Sequence, residues 1–288
     1  MGVAELGPTG YGKSAVRLMK VIRADPHTVK DISVDIRLEG DFTDVHLSGD
    51  NRLVLPTDTM KNTVYCLARD VPFEEIEELG LALARHFSEE NRHVSKVAVH
   101  LVEHLWDHIS AGEEPHRHAF LRRDGGRRKA LVTTTPKGTS VEAGLEGLAL
   151  LKTTGSAFSG FRRDRFTTLE ETEERLLATA IDAAWSYLRP DVDHGPVWNG
   201  TRRALLEAFA THEGSRSLQH TAYVMGAAAL EASPEIAEIR LILPNKHHVP
   251  VDLSPFGLDN PDEVFTPTEQ PYGLVEVTVR RSGGSRES

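Results

Sequence analysis

Hydrophobic and polar residues alternate in two stretches near the beginning of the chain. Apolar side chains recur near every second position in residues 15–23 and do so more regularly in residues 32–38. This period is typical of β-strands with one buried face. Residues 25–27, Asp-Pro-His, have the composition of a turn, so the two strands are predicted to form a hairpin.

A helical spacing of apolar residues follows this hairpin. It predicts helices at residues 60–69 and 72–88, the second with Pro72 in its first turn and acidic residues near its N-terminus, where the helix dipole favours them. Strands are then predicted at residues 94–105 and 129–135. The first half therefore has the order strand, strand, helix, helix, strand, strand.

The second half repeats this order of elements, although no residue-level repeat is evident. We predict strands at 145–153 and 181–188 with a short helical pattern at 169–180 between them, helices at 196–212 and 218–232, and strands at 236–243 and 274–280.

Two tandem α+β domains are the fold that this order predicts, each an antiparallel sheet with helices on one face. We place them at residues 11–137 and 138–281, with tails at 1–10 and 282–288. Uncovered sheet edges invite pairing with another chain, so self-association is expected.

Composition and charge restrict the class of protein. The chain has 288 residues, 39% of them hydrophobic and 26% charged, as in soluble globular proteins. It has no apolar run long enough for a membrane span, no signal peptide and no C-terminal peroxisomal tripeptide, so a cytoplasmic location is predicted. The formal charge of -10, without a basic stripe, argues against nucleic acid as a partner. An anionic ligand would need local positive charges.

The cysteine content excludes two kinds of site. Cys66 is the single cysteine, so neither an intrachain disulfide nor a thiolate metal cluster can form. Its apolar neighbours Val64 and Leu67 predict a buried, unreactive thiol.

Five short segments combine polar groups with chain-bending residues: 11–13, 56–59, 158–163, 174–175 and 243–248. In the second of these, Thr57, Asp58 and Thr59 precede a predicted helix. One interpretation is a side-chain N-cap, and the other is a helix N-terminus that offers free amides to an anion. The two interpretations are compatible.

Three further side chains have alternative interpretations. Lys13 is either a solvated surface charge or, if desolvated, a base with a lowered pKa. Arg175 either pairs with Glu171 one turn earlier in a helix or binds a flat anion with its planar guanidinium. His247 and His248 point in opposite directions in an extended chain, so no metal site is predicted, and a proton-shuttle role is favoured for a histidine there.

Taken in order, these segments resemble the urate oxidase (uricase) family. The matching strings run collinearly between about residues 11 and 281 and comprise Tyr11-Gly12-Lys13, Pro56–Thr63, Leu150–Asp164, Thr167–Arg175, Leu218-Gln219 and Leu243–His247. The resemblance implies a tandem tunnelling fold, with two strands, two helices and two strands in each half. It also implies sheets that close into a barrel between subunits, and a homotetramer with active sites between subunits.

The resemblance further implies a reaction and a set of roles. The activity would be oxidation of urate by molecular oxygen and water to 5-hydroxyisourate and hydrogen peroxide, without a cofactor or metal. Lys13, Thr57 and His247 would be catalytic, as a proton relay. The urate-binding residues would be Thr57, Asp58, Phe158, Arg175, Leu218, Gln219 and Asn245. Two alternatives are an enzyme acting on a pterin or other purine-like heterocycle with the same fold, and a ligand-binding member without catalysis.

Overall fold

The computed structural model describes residues 4–282 of the chain. The described residues form two compact units. One contains the residues up to Gly144 together with Ser186–Pro196, and the other contains Leu145–Trp185 and the residues from Val197 onward.

The first unit is an antiparallel sheet with helices on one face. Its strands pair in the order β1-β2-β3-β6, and β4 and β5 form a separate hairpin. Helix α2 packs on β1, and α3 packs on β3 and β6. The elements are β1 (Gly10–Ile22), β2 (Thr28–Gly40), α1 (Thr43–Leu47), α2 (Thr57–Asp70), α3 (Ile76–Glu90), β3 (Val94–Glu103), β4 (Trp106–Ala111), β5 (Glu114–Arg122) and β6 (Arg127–Thr135).

The alternation predicted for the second strand is confirmed. Ile32, Val34, Ile36 and Leu38 of β2 are all buried, whereas the three residues between them are more accessible. One face of this strand therefore lies in the core of the unit, and the other carries polar groups such as Asp35.

The second unit has the same kinds of elements. Strand β7 (Gly138–Lys152) begins in the first unit and continues into the second, and it is followed by β8 (Leu177–Tyr187), α4 (His194–Thr211), α5 (Leu218–Ala232), β9 (Ile236–Pro250), a 3-10 turn (Ser254–Phe256) and β10 (Phe265–Arg280). Strands β9 and β10 pair in antiparallel fashion, and α5 packs on both.

Several local predictions were wrong. The helical pattern at 169–180 forms no helix, and β8 begins at Leu177. The helix expected from residue 72 begins at Ile76 instead, because the Glu78 carboxylate accepts hydrogen bonds from the amides of Glu74 and Glu75 at 2.8 and 3.1 Å and fixes the start there. Helix α1 and the β4–β5 hairpin were not predicted.

Two further observations concern accessibility and membranes. Cys66 lies on an exposed face of α2, which contradicts the prediction of a buried thiol. Of the helices in residues 4–282, none has the length and apolar character needed to cross a membrane.

Candidate active site

A β-bulge in β1 follows directly after Lys13. Lys13 pairs with Ile36 and Val16 pairs with Val34, so β1 has one more residue than β2 in this interval. Ala15, inside the bulge, has a φ of 56°. A residue with a side chain pays roughly 1–2 kcal/mol for that left-handed conformation. The amide of Ala15 donates a hydrogen bond to Asp35 Oδ1 at 2.7 Å, which offsets part of this cost.

The residue before Lys13 must be glycine. A Cβ atom added to Gly12 would lie 1.8 Å from the carbonyl oxygen of Ile36, far inside the contact distance. The two strands therefore approach closely at the point where Lys13 leaves the sheet.

Tyr11 connects this strand to the chain that precedes α2. Its hydroxyl oxygen accepts a hydrogen bond from the amide of Leu55 at 2.8 Å, and its ring meets Phe42 edge-on with centroids 4.9 Å apart. Burial is the main reason why the pKa of Tyr11 is raised above its ordinary value. Tyr11 therefore links β1 to the segment that leads into Thr57.

Thr57 and Asp58 are the first two residues of α2, and the predicted side-chain cap is wrong. Pro56 occupies the N-cap position, and no side chain caps the helix. Proline has no side-chain oxygen that could accept from the first helical amides, so Pro56 leaves those amides uncapped. The first amides of a helix have no partner within it, so this N-terminus can receive polar or anionic groups.

The carboxylate of Asp58 is directed to its own helix. It accepts hydrogen bonds from Lys61 Nζ at 2.5 Å and from Asn62 Nδ2 at 3.1 Å. The hydrogen bond from Lys61, followed by the charge of Lys61, holds the pKa of Asp58 below its ordinary value, and the charge of Lys13 contributes in the same direction. The structure therefore brings Lys13 into the neighbourhood of the α2 N-terminus.

A pocket of about 550 Å³ lies in the second unit. Four of the predicted site residues line it together: Phe158, Arg175, Asn245 and His247. Its wall also contains Asp262 and Phe265, which lie outside the segments singled out in the sequence.

Phe158 and Arg175 form one side of this pocket. Phe158 exchanges two backbone hydrogen bonds with Thr172, at 2.7 and 3.1 Å, and this pairing brings the Arg175 guanidinium carbon to 5.1 Å from the Phe158 ring centroid. Arg175 Nε is buried and has no hydrogen-bond partner among the described residues. Burial lowers the pKa of Arg175. A partly desolvated guanidinium beside an aromatic ring suits a flat anion.

The predicted helical setting of Arg175 is wrong. The residue lies in an irregular segment just before β8, where a partner four residues earlier is not on the same face. The adjacent Glu174 instead accepts hydrogen bonds from the hydroxyl of Thr154 at 2.6 Å and from the amide of Gly155 at 3.0 Å. Arg175 is thereby left facing the pocket.

Asn245 and His247 come from β9, at the point where its pairing with β10 is irregular, and their neighbours Lys246 and His248 line the same pocket. Two threonines hold the backbone on either side. Thr179 donates to the carbonyl oxygen of Pro244 at 2.9 Å, and Thr268 donates to that of His247 at 3.1 Å. The two polar side chains therefore project from a fixed strand into the pocket.

Leu218 and Gln219 are the first residues of α5 and do not line this pocket. Ser217 caps the helix by accepting the amide hydrogen of His220 at 3.1 Å. Just before it, the carbonyl oxygen of Ser215 accepts a 2.7 Å hydrogen bond from the amide of Ala157, the neighbour of Phe158. Leu218 is buried and Gln219 is exposed, so their part in binding stays a prediction.

Sequence inspection also missed a local repeat. In β7 the amide of Gly147, at a φ of 70°, donates to Asp182 Oδ1 at 2.7 Å, as the amide of Ala15 does to Asp35. The segments Gly12-Lys13-Ser14-Ala15 and Gly144-Leu145-Glu146-Gly147 therefore correspond. The signal was a glycine three residues before a small residue, with an aspartate on the following strand.

Comparison with known proteins identifies the uricase family. The model of the uricase family matches residues 9–133 and 141–276. A uricase from Arthrobacter globiformis is 47% identical over 280 residues, which cover 96% of this chain and 90% of that protein. A uricase from Aspergillus flavus is 36% identical over 289 residues, with 94% and 95% covered.

Solved structures of uricases superpose on this chain. The crystal structure of the uricase from Arthrobacter globiformis superposes with a TM-score of 0.93 at 45% identity, covering 100% of this chain and 98% of that one. A uricase from a Bacillus species, with a TM-score of 0.81 at 23% identity, shares the fold. These matches confirm the predicted fold class.

Proposed function

The chain belongs to the uricase family and oxidises urate, and we propose that it does so through a proton relay of Lys13, Thr57 and His247. The reaction converts urate, oxygen and water into 5-hydroxyisourate and hydrogen peroxide. The observation that carries the proposal is the arrangement of Arg175 and Phe158, which offers a desolvated cation and an aromatic face to one ligand.

Urate is flat, carries a negative charge at neutral pH and has N–H and C=O groups around its rim. Phe158 stacks on its face, and Arg175 donates two hydrogen bonds to one edge. Gln219 contributes an amide donor and acceptor, and the backbone amides of Leu218 and Asp58 complete the rim. A purine that lacks one carbonyl group would leave a buried donor unpaired, which gives the site its specificity.

Proton transfer is the contribution of the protein to the chemistry. Lys13 takes a proton from urate through the hydroxyl of Thr57, and His247 belongs to the same relay. Loss of a second proton makes urate electron-rich enough to reduce oxygen directly. Asn245 and Thr57 hold oxygen, and later water, above the ring, so that hydrogen peroxide leaves and water adds at C5. In this scheme urate supplies the electrons and no cofactor or metal takes part.

We place the complete site between two subunits of a homotetramer whose sheets close into barrels. Lys13, Thr57 and Asp58 come from one subunit, and the pocket residues come from its neighbour. In support, β1 pairs with β2 alone and β10 with β9 alone among the described strands, so both are edges. They also carry exposed apolar side chains such as Met19 and Leu274. Such edges need a cover. A cytoplasmic location stays a prediction.

The alternatives are not favoured. A pterin-type enzyme with this fold would hold its heterocycle through a glutamate. The pocket glutamates do not suit that role, since Glu174 accepts hydrogen bonds from Thr154 and Gly155 and the side chain of Glu170 is 91% exposed, whereas Arg175 presents a desolvated cation. A binding protein without catalysis would have no use for Lys13 beside the α2 N-terminus.

The test is the loss of urate absorbance together with oxygen uptake, measured on protein dialysed against chelator. We expect turnover without added metal. Lys13→Met should lower kcat by about 10²–10⁴-fold, the usual contribution of a general base, while the affinity for an unreactive urate analogue stays close to that of the parent. Lys20→Met, on the same strand, is the matched control and should keep its kcat.

Two results would contradict the proposal. A kcat of Lys13→Met equal to that of Lys20→Met would remove Lys13 from the relay. Turnover that stops in chelator and returns with zinc or copper would show that the reaction uses a metal.

A further inference from the structure

We propose that Asp35 is a positioning residue for Lys13: its carboxylate holds the bulge at Ala15, and the bulge determines the face of the sheet on which Lys13 lies. This inference rests on the role of Lys13 proposed above. It assigns to Asp35 a function in the reaction, although Asp35 itself touches neither urate nor oxygen.

The strand register shows why the bulge matters. Side chains alternate along a regular strand, so residues three apart lie on opposite faces. Lys13 and Val16 are three apart, yet their partners Ile36 and Val34 lie on the same, buried face of β2. The extra residue in the bulge is what brings both onto the face that α2 covers.

Loss of the bulge would force a choice between the two side chains. Val16 is 3% exposed and belongs to the core, so the strand would keep Val16 inside. Lys13 would then turn to the opposite face of the sheet, away from the N-terminus of α2 and from Thr57 and Asp58. Tyr11, two residues earlier on the same face, would turn with it and lose its hydrogen bond with Leu55, at a cost of about 1–3 kcal/mol. A displacement of this kind therefore removes the base from its proton at a moderate cost in stability.

Asp35 is the side chain that holds the bulge. Its Oδ1 accepts the amide hydrogen of Ala15 at 2.7 Å, and its Oδ2 lies 3.4 Å from His100 Nδ1 on β3, the residue that pairs with Asp35 across the strands. Ala15 needs this support because a side chain disfavours its φ of 56°. The carboxylate is thus fixed from β3 and holds β1.

The second unit supplies an internal control. Asp182 accepts the amide hydrogen of Gly147 at the same distance of 2.7 Å. Here the residue after Gly144, in the position that corresponds to Lys13, is Leu145, which is 2% exposed and lies in the core. Gly147 adopts its φ of 70° without penalty. The same hydrogen bond therefore occurs once beside the proposed base and once beside an inert side chain.

The experiment compares Asp35→Ala with Asp182→Ala. Asp35→Ala should lower kcat by about tenfold or more, since a misplacement of 1 Å can cost about 10²-fold, while the affinity for a urate analogue changes little. Asp182→Ala should keep kcat within about twofold, because the residue in the position of Lys13 is the core residue Leu145 and no catalytic group precedes Gly147. Asp35→Asn retains an oxygen acceptor for the amide of Ala15 and should stay within about threefold of the parent.

Rescue separates positioning from a general structural role. Ala15→Gly removes the conformational penalty, so Ala15→Gly combined with Asp35→Ala should recover most of the lost kcat. Ala15→Val strains the bulge from the other partner and should lower kcat even if Asp35→Ala does not fold. A double variant with Lys13→Met should show no further loss from Asp35→Ala, because both act on one group.

The outcomes separate this inference from the proposed function. If Lys13→Met is inactive while Asp35→Ala keeps full kcat, Asp35 is not a positioning residue and the relay stands. If Lys13→Met is fully active, the relay itself is wrong. Equal losses in Asp35→Ala and Asp182→Ala, without rescue by Ala15→Gly, would show that both aspartates act only on the fold.

Discussion

Gly12→Ala should be one of the most damaging single-methyl changes in this chain. The new Cβ would lie 1.8 Å from the carbonyl oxygen of Ile36, 2.8 Å from its carbonyl carbon and 3.0 Å from the Cα of Arg37. All three atoms are backbone, so no flexible side chain can move aside. Strand β1 or β2 must shift by more than 1 Å to restore ordinary contact distances.

The strand shift in Gly12→Ala should affect both stability and kcat, to different extents. Overpacking of this kind costs about 1–3 kcal/mol of stability, so the protein should still fold. The displaced residue Ile36 pairs with Lys13, however, and a misplacement of about 1 Å in a catalytic group can lower the rate by about 10²-fold. We therefore expect a larger loss in kcat than in stability.

The assay is urate oxidation at saturating substrate, with a thermal melt of the same preparation. Gly10→Ala is the matched control: it lies two residues earlier on the strand, and its Cβ would meet its nearest atoms only at 3.0 Å, one of them the flexible side chain of Glu39. It should keep kcat within about threefold. A Gly12→Ala enzyme with the kcat and melting temperature of the parent would refute the reasoning, as would equal losses in both variants.

Three further changes test other parts of the structure. Arg175→Ala should weaken binding of a urate analogue by about 10²-fold, because charge-assisted hydrogen bonds are lost, and an unchanged affinity would remove Arg175 from the binding role. Burial raises the pKa of Glu77 against the opposing charge of Arg128, so its contribution to stability is present below the ordinary pKa and is lost as pH rises through the folded-state pKa. Glu77→Gln should therefore flatten the dependence of unfolding free energy on pH above 4.5. Urea titrations at several pH values measure this dependence, and the same change of unfolding free energy with pH in parent and variant would contradict the reasoning. Tyr11→Phe leaves the amide of Leu55 without its acceptor and should lower the unfolding free energy by about 1–3 kcal/mol, a loss that a denaturant titration would detect.

The fold was largely predictable because its strands and helices have clear periods. The alternation of apolar residues in β2 predicted the strand and its buried face, and the turn before it predicted the hairpin with β1. The helix predicted at 169–180, before β8, was wrong because apolar residues at helical spacing also suit an irregular chain that lines a pocket. Pairing of Phe158 with Thr172, a tertiary contact, decides its conformation, and local propensity cannot show it.

The candidate site was predictable only in part. Asn245 and His247 were assigned to the site through the resemblance alone, because the strand predicted at 236–243 ends before them, whereas β9 continues to Pro250. The role of Thr57 was harder, since a cap and a ligand-binding N-terminus use the same residue types, and Pro56 decided between them only in the structure. The bulge at Ala15 was invisible, because an alanine gives no sign that its φ is positive.

The hydrogen bond between a strand amide and an aspartate of the following strand separates backbone geometry from side-chain chemistry in this chain. The same kind of positive φ and the same 2.7 Å contact occur two residues after Lys13 and two residues after Leu145, one a proposed base and the other a core residue. The backbone arrangement is therefore independent of the side chain that it places, and the residue type at such a position can change without a change in the course of the strand.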